Sequence, residues 1–477
     1  MKVRPDITRL TDRHAVILLL IAGLFHALYN ITLELHPDEA YYWFWGKHLQ
    51  LSYYDHPPMV AYLIGLFTLF SDHEFFVRLP AVFSMTLTGW FIYRLAKEVY
   101  DNDVAWLALF TYLIIPTISI GYAIITPDAP LMLFWSLSMF TAYRALFHGG
   151  WKNYMLTGLA IGCLMLSKYM SVLFLASLLL FLLIKMPRKL LEIKPWAAIF
   201  LALAIFLPVI YWNYQNDWIS FSFQYGHGSG EEAKLRPDKF LEFFGGLFAV
   251  FTPVFFAVLL YGTFRYKSYL LDDKRFFIAI TYLFPLTFFL YKSLFKKMEM
   301  NWIAVAFFSG IILFAATVKE LRLKKTYIAG SLIAILLSLI LHFPSLFLLP
   351  PKFNIHYRLD GDKEPAMKAA KHLKAGDILM SDHPRRASMF SYYAGGARQA
   401  HIPTKARFSQ YSIWDKEFDF NNAQGVFLSK IPREKELLSR FKYVELLEKV
   451  AIEKESFKTK TFYIYRCSNI DRRDRPR

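Results

Sequence analysis

Three carboxylates at the ends of apolar segments are the first residues of this sequence whose positions suggest chemistry. Asp38 and Glu39 directly follow a long apolar run, and Asp128 lies in a very short polar turn between two others. Pro127 and Pro130 bracket Asp128 and restrict the backbone on both sides of it. Acids held on tight loops suit general-base catalysis on a hydroxyl or the binding of a divalent metal. The sequence therefore predicts a site where these acids meet.

Basic residues at comparable positions predict that the same site binds an anion. Ammonium and guanidinium groups neutralise phosphate oxygens, so several cations beside paired acids are typical of a phosphate site. A lysine at a membrane-helix end can instead extend its ammonium to the interface and have no further role. The candidate phosphate-binding residues are Arg78, Lys168, Lys292, Lys296 and Lys297.

A polar loop at about residues 36–75 contains further acids and histidines among many aromatic residues. The stretch from Glu39 to Gln50 has aromatics on one side and polar residues on another, which predicts a helix lying in the membrane interface. Tyrosine and tryptophan favour headgroup depth, so anchoring is the simplest role for these aromatics.

Membrane helices are the elements that must position these residues. The chain has 477 residues, of which 55% are hydrophobic and only 19% charged, and its mean hydropathy is +0.30. These values exclude a disordered chain and a soluble globular domain. A bilayer core of about 30 Å takes about 20 apolar residues per helix. That length predicts eleven spans, near residues 15–34, 76–96, 104–122, 129–147, 153–167, 170–186, 195–213, 241–262, 276–292, 301–318 and 326–346.

The distribution of charge predicts the orientation of the spans. Lys and Arg number 55 against 38 Asp and Glu, a net charge of +17. Nearly every short loop on the side of the N-terminus is basic, and the positive-inside rule places that side in the cytoplasm. This distribution makes nucleic acid the weaker explanation of the charge. The first apolar run also resembles a secretory signal, but it is long and lacks a cleavage site, so we predict an uncleaved span.

An odd number of spans places the end of the chain outside the cytoplasm. Residues 1–350 are then a transmembrane catalytic domain with its first outer loop at 36–75, and residues 351–477 are a small outer α/β domain. In that domain we predict helices at 366–373 and 387–393 and strands at 377–380, 425–428, 443–447 and 461–465. Cys163 and Cys467 are far apart, which excludes a disulfide framework or a structural zinc site.

The polar loops resemble those of a known superfamily. The runs Leu35–Tyr42, Ser52–Pro58 and Val77–Pro80 resemble bacterial members of the dolichyl-phosphate-mannose protein mannosyltransferase superfamily. Thr126–Pro130 resembles the second acidic loop of that family, and Ser167–Tyr169 and Gln410–Trp414 resemble further motifs. The aminoarabinose transferase that acts on lipid A belongs to the same broad group of integral membrane glycosyltransferases with the GT-C fold. The resemblance implies a polytopic α-helical membrane protein of that fold.

The resemblance also implies a reaction and roles for the residues. The donor is a sugar linked to a polyprenyl phosphate, and transfer occurs on the periplasmic face of the bacterial inner membrane in one in-line displacement that inverts the anomeric carbon. Asp38 is the base that deprotonates the acceptor hydroxyl, and Glu39 and Asp128 support it or the sugar. The leaving phosphate needs cations, first Lys168 and Arg78, with the three lysines at 292–297 in reserve.

One motif departs from the aminoarabinose branch. That branch carries Glu-Lys-Pro-Pro where this chain has Asp55-His56-Pro57-Pro58, which leaves the transferred sugar open. Either His56 contacts the donor phosphate as an imidazolium, or Asp55 and His56 ligate a metal. A divalent cation is the one candidate cofactor.

Other functions stay open at this point. A transporter for a lipid-linked saccharide would place charges near the bilayer midplane and often show inverted repeats, whereas these acids gather at one interface. A polysaccharide polymerase or ligase is also outward-facing and uses lipid-linked substrates. The acceptor of a glycosyltransferase is lipid A or lipopolysaccharide, another glycolipid, or a protein hydroxyl. No nucleic acid is expected as a partner.

Overall fold

The computed structural model describes residues 10–229, 234–264, 271–347, 361–453 and 460–469. The chain forms two compact units. The first unit comprises Met1–Asn30, His56–Val60 and Arg78–His342, and the second comprises Ile31–Asp55, Ala61–Val77 and Phe343–Arg477. The predicted first outer loop is thus largely grouped with the residues that follow the last predicted span.

Helices make up the described part of the first unit, apart from short 3₁₀ turns. They are α1 (Asp12–Tyr29), α4 (Glu74–Val99, which begins in the second unit), α5 (Asn102–Ile114), α6 (Pro116–Ala123), α7 (Asp128–Phe147), α8 (Trp151–Ser167), α9 (Val172–Lys185), α10 (Ile193–Gln215), α11 (Ile219–Ser229), α12 (Pro237–Phe251), α13 (Pro253–Phe264), α14 (Asp273–Ser293), α15 (Ala306–Glu320) and α16 (Lys324–His342).

All eleven predicted spans fall on helices of the structure, but the helices differ in length. Within the described residues, six helical segments are long and apolar enough to cross a membrane. They are Asp12–Thr32, Glu74–Val99, Ile193–Gln215, Asp273–Ser293, Trp302–Glu320 and Lys324–His342. The number rises to eight if each of two bent pairs, α5 with α6 and α12 with α13, is one span. The other three predicted spans lie on α7, α8 and the 17-residue helical segment Tyr169–Lys185.

The breaks and starts of these helices follow from local sequence. Pro116 and Pro253 begin the second member of each bent pair, where proline cannot continue the hydrogen bonding of the preceding helix. The bends are 63° and 109°. The Asp101 carboxylate accepts hydrogen bonds from the first backbone amides of α5, and Asp272 does the same for α14.

The core of the first unit is built from apolar side chains of packed helices, including Trp135, Phe174 and Phe277. Close helix approaches use small residues, as is common in membranes. A side chain at Gly158 of α8 would place its Cβ 2.5 Å from the Ala198 backbone oxygen of α10. That spacing admits only glycine at this position.

The second unit contains a five-stranded mixed sheet with helices. Its helices are α2 (Pro37–Lys47), α3 (Met59–Phe67, which begins in the first unit), α17 (Lys363–Lys371), α18 (Pro384–Ala394), α19 (Gln410–Trp414) and α20 (Glu434–Leu438), and its strands are β1 (Ile378–Ser381), β2 (Ala400–His401), β3 (Gln424–Ser429), β4 (Tyr443–Ile452) and β5 (Lys460–Ser468). The strand order is β2-β1-β3-β5-β4. β1 runs parallel to β2 and β3, and β5 runs antiparallel to β3 and β4.

Local patterns located these elements well, since all four predicted strands and both predicted helices overlap observed ones. β4 and β5 are longer than predicted, because their residues pair with each other over most of their length, with a bulge at Leu446 to Glu448. The two-residue strand β2 was not predicted. Its Ala400 pairs with Leu379, a contact without a local sequence signal.

The predicted interface role of the aromatic helix is wrong. Trp43, Phe44 and Trp45 of α2 are almost completely buried within the protein. The Trp43 ring packs edge-on against Tyr392, and Phe44 stacks on Tyr411. The aromatic face of α2 therefore contacts the α/β part of the second unit, and burial against protein replaces headgroup anchoring.

The motif around Gln410 has a direct structural role in the second unit. The backbone amide of Gln410 donates to the Tyr41 hydroxyl at 3.1 Å, and the side-chain oxygen of Gln410 accepts from the Tyr54 amide at 2.8 Å. Gln410 is fully buried, so these hydrogen bonds satisfy groups that water does not reach. They fix the loop 48–55 on helix α19.

Candidate active site

Asp128 is held at the start of a helix, as its proline-flanked turn predicts. It is the first residue of α7, directly after Pro127. Its backbone amide donates to the Thr126 hydroxyl at 3.3 Å, which stabilises the turn. The carboxylate is mostly buried, with 16% of the side chain exposed.

Lys168 and Asn301 converge on the Asp128 carboxylate from two other parts of the first unit. Lys168 directly follows α8, and its Nζ lies 2.6 Å from Oδ1 of Asp128. The Asn301 Nδ2 donates to Oδ2 of the same carboxylate at 2.9 Å. Both oxygens of Asp128 thus have a donor, and both contacts favour its ionised form. The structure confirms that Lys168 lies beside an acid.

His56 lies near this cluster and is uncharged. Burial and the positive charge of Lys168 lower the pKa of His56 to about 3, against the opposing effect of Asp128. The predicted imidazolium therefore does not form at neutral pH in the protein alone. A neutral imidazole still carries one N–H donor, which suits a hydrogen bond to phosphate.

Arg78 is a fully buried cation of the first unit. It lies near the start of α4, and its Nη1 donates to the Asn30 backbone oxygen at 3.0 Å. Asn30 ends helix α1, so the guanidinium binds a carbonyl group at a helix C-terminus. Its predicted role in phosphate binding stays a prediction.

The last turn of α14 and the segment after it carry three lysines and Asn301 close together in the chain: Lys292 lies in that turn, and Lys296, Lys297 and Asn301 follow the helix. Burial, and then repulsion by the nearby Lys292, lower the pKa of Lys296. An anion bound near both ammonium groups would relieve that repulsion. Lys297 is more exposed than Lys296, and its Nζ lies 3.4 Å from the Glu299 Oε1.

Asp38 belongs to the second unit, at the start of α2. Its Oδ1 lies 2.5 Å from the Arg385 Nε, and its Oδ2 lies 3.8 Å from the His36 Nδ1. His36 is also the N-cap of α2, and its ring accepts from the Asp38 backbone amide at 3.2 Å. Asp38 is thus held by its helix and oriented by a guanidinium.

Glu39, the neighbouring acid, has a local structural partner. Its Oε2 accepts from the His36 backbone amide at 2.8 Å, which completes a capping box at the start of α2. The residue is fully buried. Glu39 thus fixes the helix turn that carries Asp38, and its predicted support of the base or the sugar stays a prediction.

Asp55 is a second acid of the second unit with an unusual environment. The Tyr41 hydroxyl donates to its Oδ2 at 2.8 Å. Burial raises the pKa of Asp55 to about 6, opposed by Tyr41 and Arg407 and assisted by the charge of Asp38. A carboxyl with this pKa exchanges protons near neutral pH.

A metal site made by protein side chains alone does not emerge from the described ranges. No group of three or more His, Cys, Asp or Glu in these ranges is arranged to hold an ion. Asp55 already accepts from Tyr41, and its neighbour His56 lies with the Asp128 cluster of the other unit. A metal role for Asp55 and His56 stays a prediction.

Two of the residues that hold the candidate acids were not predicted. Asn301 is separated from Asp128 by 173 positions and has no motif that marks it, apart from the lysines shortly before it. Arg385 lies in the α/β part of the second unit, far along the chain from Asp38. Asp38 and Asp128 belong to different units, and their convergence in one pocket stays a prediction.

Comparisons with known proteins agree with the motifs. A family model described as dolichyl-phosphate-mannose-protein mannosyltransferase matches residues 55–212. Lipid A galacturonosyltransferase RgtD of Rhizobium johnstonii is 25% identical over 356 residues, which cover 72% of this chain and 75% of that protein.

Solved structures resemble the whole chain. The crystal structure of ArnT from Cupriavidus metallidurans in the apo state aligns with 95% of this chain and 98% of that one, with 12% identity and a TM-score of 0.69. The structure of ArnT bound to undecaprenyl phosphate aligns over 97% and 99%, with the same identity and TM-score. The chain is therefore a polytopic α-helical membrane protein with the GT-C fold, as predicted. The number of eleven spans and the placement of the C-terminal domain outside the cytoplasm stay predictions.

Proposed function

We propose that this protein is an inverting glycosyltransferase that moves a sugar from a polyprenyl-phosphate donor to lipid A or a related glycolipid. The reaction takes place on the periplasmic face of the bacterial inner membrane. The donor and acceptor classes are supported by the relative that acts on lipid A and by the GT-C structure with undecaprenyl phosphate.

The buried Asp128–Lys168 pair is the observation in this chain that most supports chemistry. Lys168 is only 8% exposed, and taking two charges out of water is costly even when they are paired. Asn301 adds a third polar partner on the same carboxylate. Costly polar groups at the ends of membrane helices mark functional sites by default.

The proposed step is a single displacement at the anomeric carbon. The acceptor hydroxyl oxygen attacks that carbon as the bond between the carbon and the donor phosphate oxygen breaks. The hydroxyl proton passes to the Asp38 carboxylate, and the polyprenyl phosphate leaves with the bonding electron pair. Attack and departure on opposite faces of the carbon invert its configuration.

Cations and hydrogen-bond donors serve the leaving group. Charge develops on the phosphate oxygen as the bond breaks, and preorganised positive groups stabilise that charge more in the transition state than in the ground state. Lys168, Arg78 and Lys296 are the proposed groups, with the neutral His56 as an N–H donor. Asp128 orients Lys168 through their 2.6 Å contact.

A transfer assay in membranes tests this function. Membranes with the full chain are incubated with a panel of radiolabelled polyprenyl-phosphate sugars and with lipid A or a peptide as acceptor. We expect the label to move to lipid A from one of the donors. The Asp38→Asn and Asp128→Asn variants should lose this transfer. The donor that supports transfer names the sugar.

A matched control comes from another acid and lysine pair of the same fold. The Asp12 Oδ1 lies 2.5 Å from the Lys97 Nζ, and both side chains are more than one-third exposed. Asp12→Asn removes the same kind of contact outside the proposed site, and its transfer rate should stay near that of the wild type. Transfer to the peptide alone, or transfer that Asp38→Asn leaves unchanged, would contradict the proposed acceptor or the proposed base.

A further inference from the structure

The contact between Asp38 and Arg385 brings a cation of the α/β part of the second unit to the proposed catalytic base. Arg385 is in the first turn of α18, and α18 packs against α2, which carries Asp38. The Nε of Arg385 lies 2.5 Å from the Asp38 carboxylate. Two helix starts thus place a guanidinium and a carboxylate side by side.

Arg385 remains available to a ligand although it is paired. Its side chain is 55% exposed, whereas that of Asp38 is 23% exposed. A guanidinium has five N–H donors in a planar fork, and the contact through Nε engages one of them. The terminal groups match the oxygens of a phosphate. Asp38 therefore orients the arginine, while more than half of the arginine side chain stays exposed.

The next arginine in the chain shows what a purely structural pair looks like here. Arg386 is 15% exposed and donates to the Asp382 carboxylate at 2.8 Å, and Asp382 is buried. The Nε of Arg433 also lies 3.6 Å from Oδ2 of Asp382. The Asp382 carboxylate at the centre of that cluster is buried, whereas the Arg385 pair is more than half exposed on the arginine side. Adjacent residues of one helix thus have different surroundings.

A second cation lies on the same side of the second unit. Arg407 is exposed, and its charge acts on Asp55, which also feels the charges of Asp38 and Arg385. Two arginines therefore accompany the two acids of this region. Their combined positive charge favours the approach of an anionic group to the base.

The direction of the displacement decides which phosphate these arginines meet. In an in-line reaction the base stands on the side of the attacking hydroxyl, and the donor phosphate leaves from the opposite face. A cation in direct contact with the base is therefore on the acceptor side. Resting on the proposed function, we propose that Arg385 binds a phosphate group of the acceptor glycolipid and so places the acceptor hydroxyl at Asp38.

The test compares one acceptor with and without its phosphates. Full-length protein in nanodiscs is given lipid A or enzymatically dephosphorylated lipid A, and KM and kcat are measured for each acceptor. We expect Arg385→Gln to raise the KM for phosphorylated lipid A about tenfold to a hundredfold, as for the loss of a charge-assisted hydrogen bond. The KM for the dephosphorylated acceptor and for the donor should change by less than about twofold.

Two further variants separate recognition from folding. Arg385→Lys keeps the charge but loses the planar fork, so it should recover part of the affinity for the phosphorylated acceptor. Lys368 is a partly exposed cation of the same unit that pairs with Glu364 and Glu448, and Lys368→Gln should leave the KM for both acceptors unchanged. Equal rises in KM for both acceptors in Arg385→Gln would overturn the proposal, because they are the result expected of a contact that only orients Asp38.

A binding measurement keeps this inference separate from the proposed function. Binding of both forms of lipid A to the protein in nanodiscs is measured without donor. Weaker binding of the phosphorylated form alone in Arg385→Gln supports the inference, and equal binding by variant and wild type overturns it. Absence of sugar transfer by the wild type would instead refute the proposed function, and the binding result would still decide the role of Arg385.

Discussion

Removing the positive charge from the Asp128–Lys168 pair is the most direct test of how the site of the first unit is held. Lys168→Met keeps the length of the side chain but leaves the mostly buried Asp128 carboxylate without its ammonium partner 2.6 Å away. Breaking a buried pair by removing one partner costs about 3–5 kcal/mol. We expect a loss of that size in the free energy of unfolding, together with loss of sugar transfer.

The double variant Asp128→Asn with Lys168→Met separates stability from chemistry. Removing both charges also removes the uncompensated buried carboxylate, so most of the lost stability should return. Transfer should stay low, because the proposed leaving-group cation is still missing. Lys97→Met is the control, since its pair with Asp12 is substantially exposed and should contribute less than about 1 kcal/mol.

The assay is denaturant unfolding of the purified protein in mixed micelles, followed by tryptophan fluorescence, beside transfer measurements on the same preparations. Two results would refute the reasoning. If Lys168→Met were as stable as the wild type, the buried pair would not have the energetic importance assigned to it. If the double variant regained full transfer as well as stability, the pair would be structural and Lys168 would have no part in the reaction.

The remaining predictions concern three other residues. Asp38→Asn should lower kcat by about 10²- to 10⁴-fold, the usual contribution of a general base, with little change in the KM for the donor; an unchanged kcat excludes Asp38 as the base. Asn301→Leu removes the side-chain amide that donates to Asp128 at 2.9 Å and should lower kcat, whereas Asn301→Gln keeps an amide donor and should retain part of the wild-type kcat. Equal kcat values for the two variants would show that this hydrogen bond is not used. The pKa of Asp55 is about 6 in the folded protein against a usual 3.8, so the native state binds the proton more tightly than the unfolded state does. The free energy of unfolding should therefore fall by at most ~3 kcal/mol as the pH rises from about 4 to above 6. Asp55→Asn should flatten that dependence in unfolding curves at pH 4.5 and 7.5, and a wild-type curve that is already flat would argue against the raised pKa.

The helical membrane architecture follows from the sequence because its causes are local. A run of about 20 apolar residues requires a helix in a bilayer, whose backbone groups must bond within the segment. Pro116 and Pro253 break two of the predicted spans, at 104–122 and 241–262, a local effect that the count of apolar residues left out. Strands of the α/β part were located from short apolar runs between polar residues, which are also local.

The interpretation of α2 shows where local reasoning fails. Aromatics on one side of a short helix beside a membrane are equally suited to headgroups and to a protein surface. In the structure Trp43 contacts Tyr392 and Phe44 contacts Tyr411, residues more than 300 positions later in the chain. The periodicity of a helix specifies that one face is apolar, but it does not specify what covers that face.

The sequence by itself determined a polytopic helical membrane protein and identified Asp38, Asp128 and Lys168 as candidate site residues. Only the tertiary structure decided the partners of those acids. Lys168 contacts Asp128 across 40 positions of the chain and Asn301 contacts it across 173, while Arg385 contacts Asp38 from the α/β part of the second unit. The physical reason is that charge pairing depends on distances of a few ångströms between side chains, and such distances are set by how helices pack and not by the residues of any one helix.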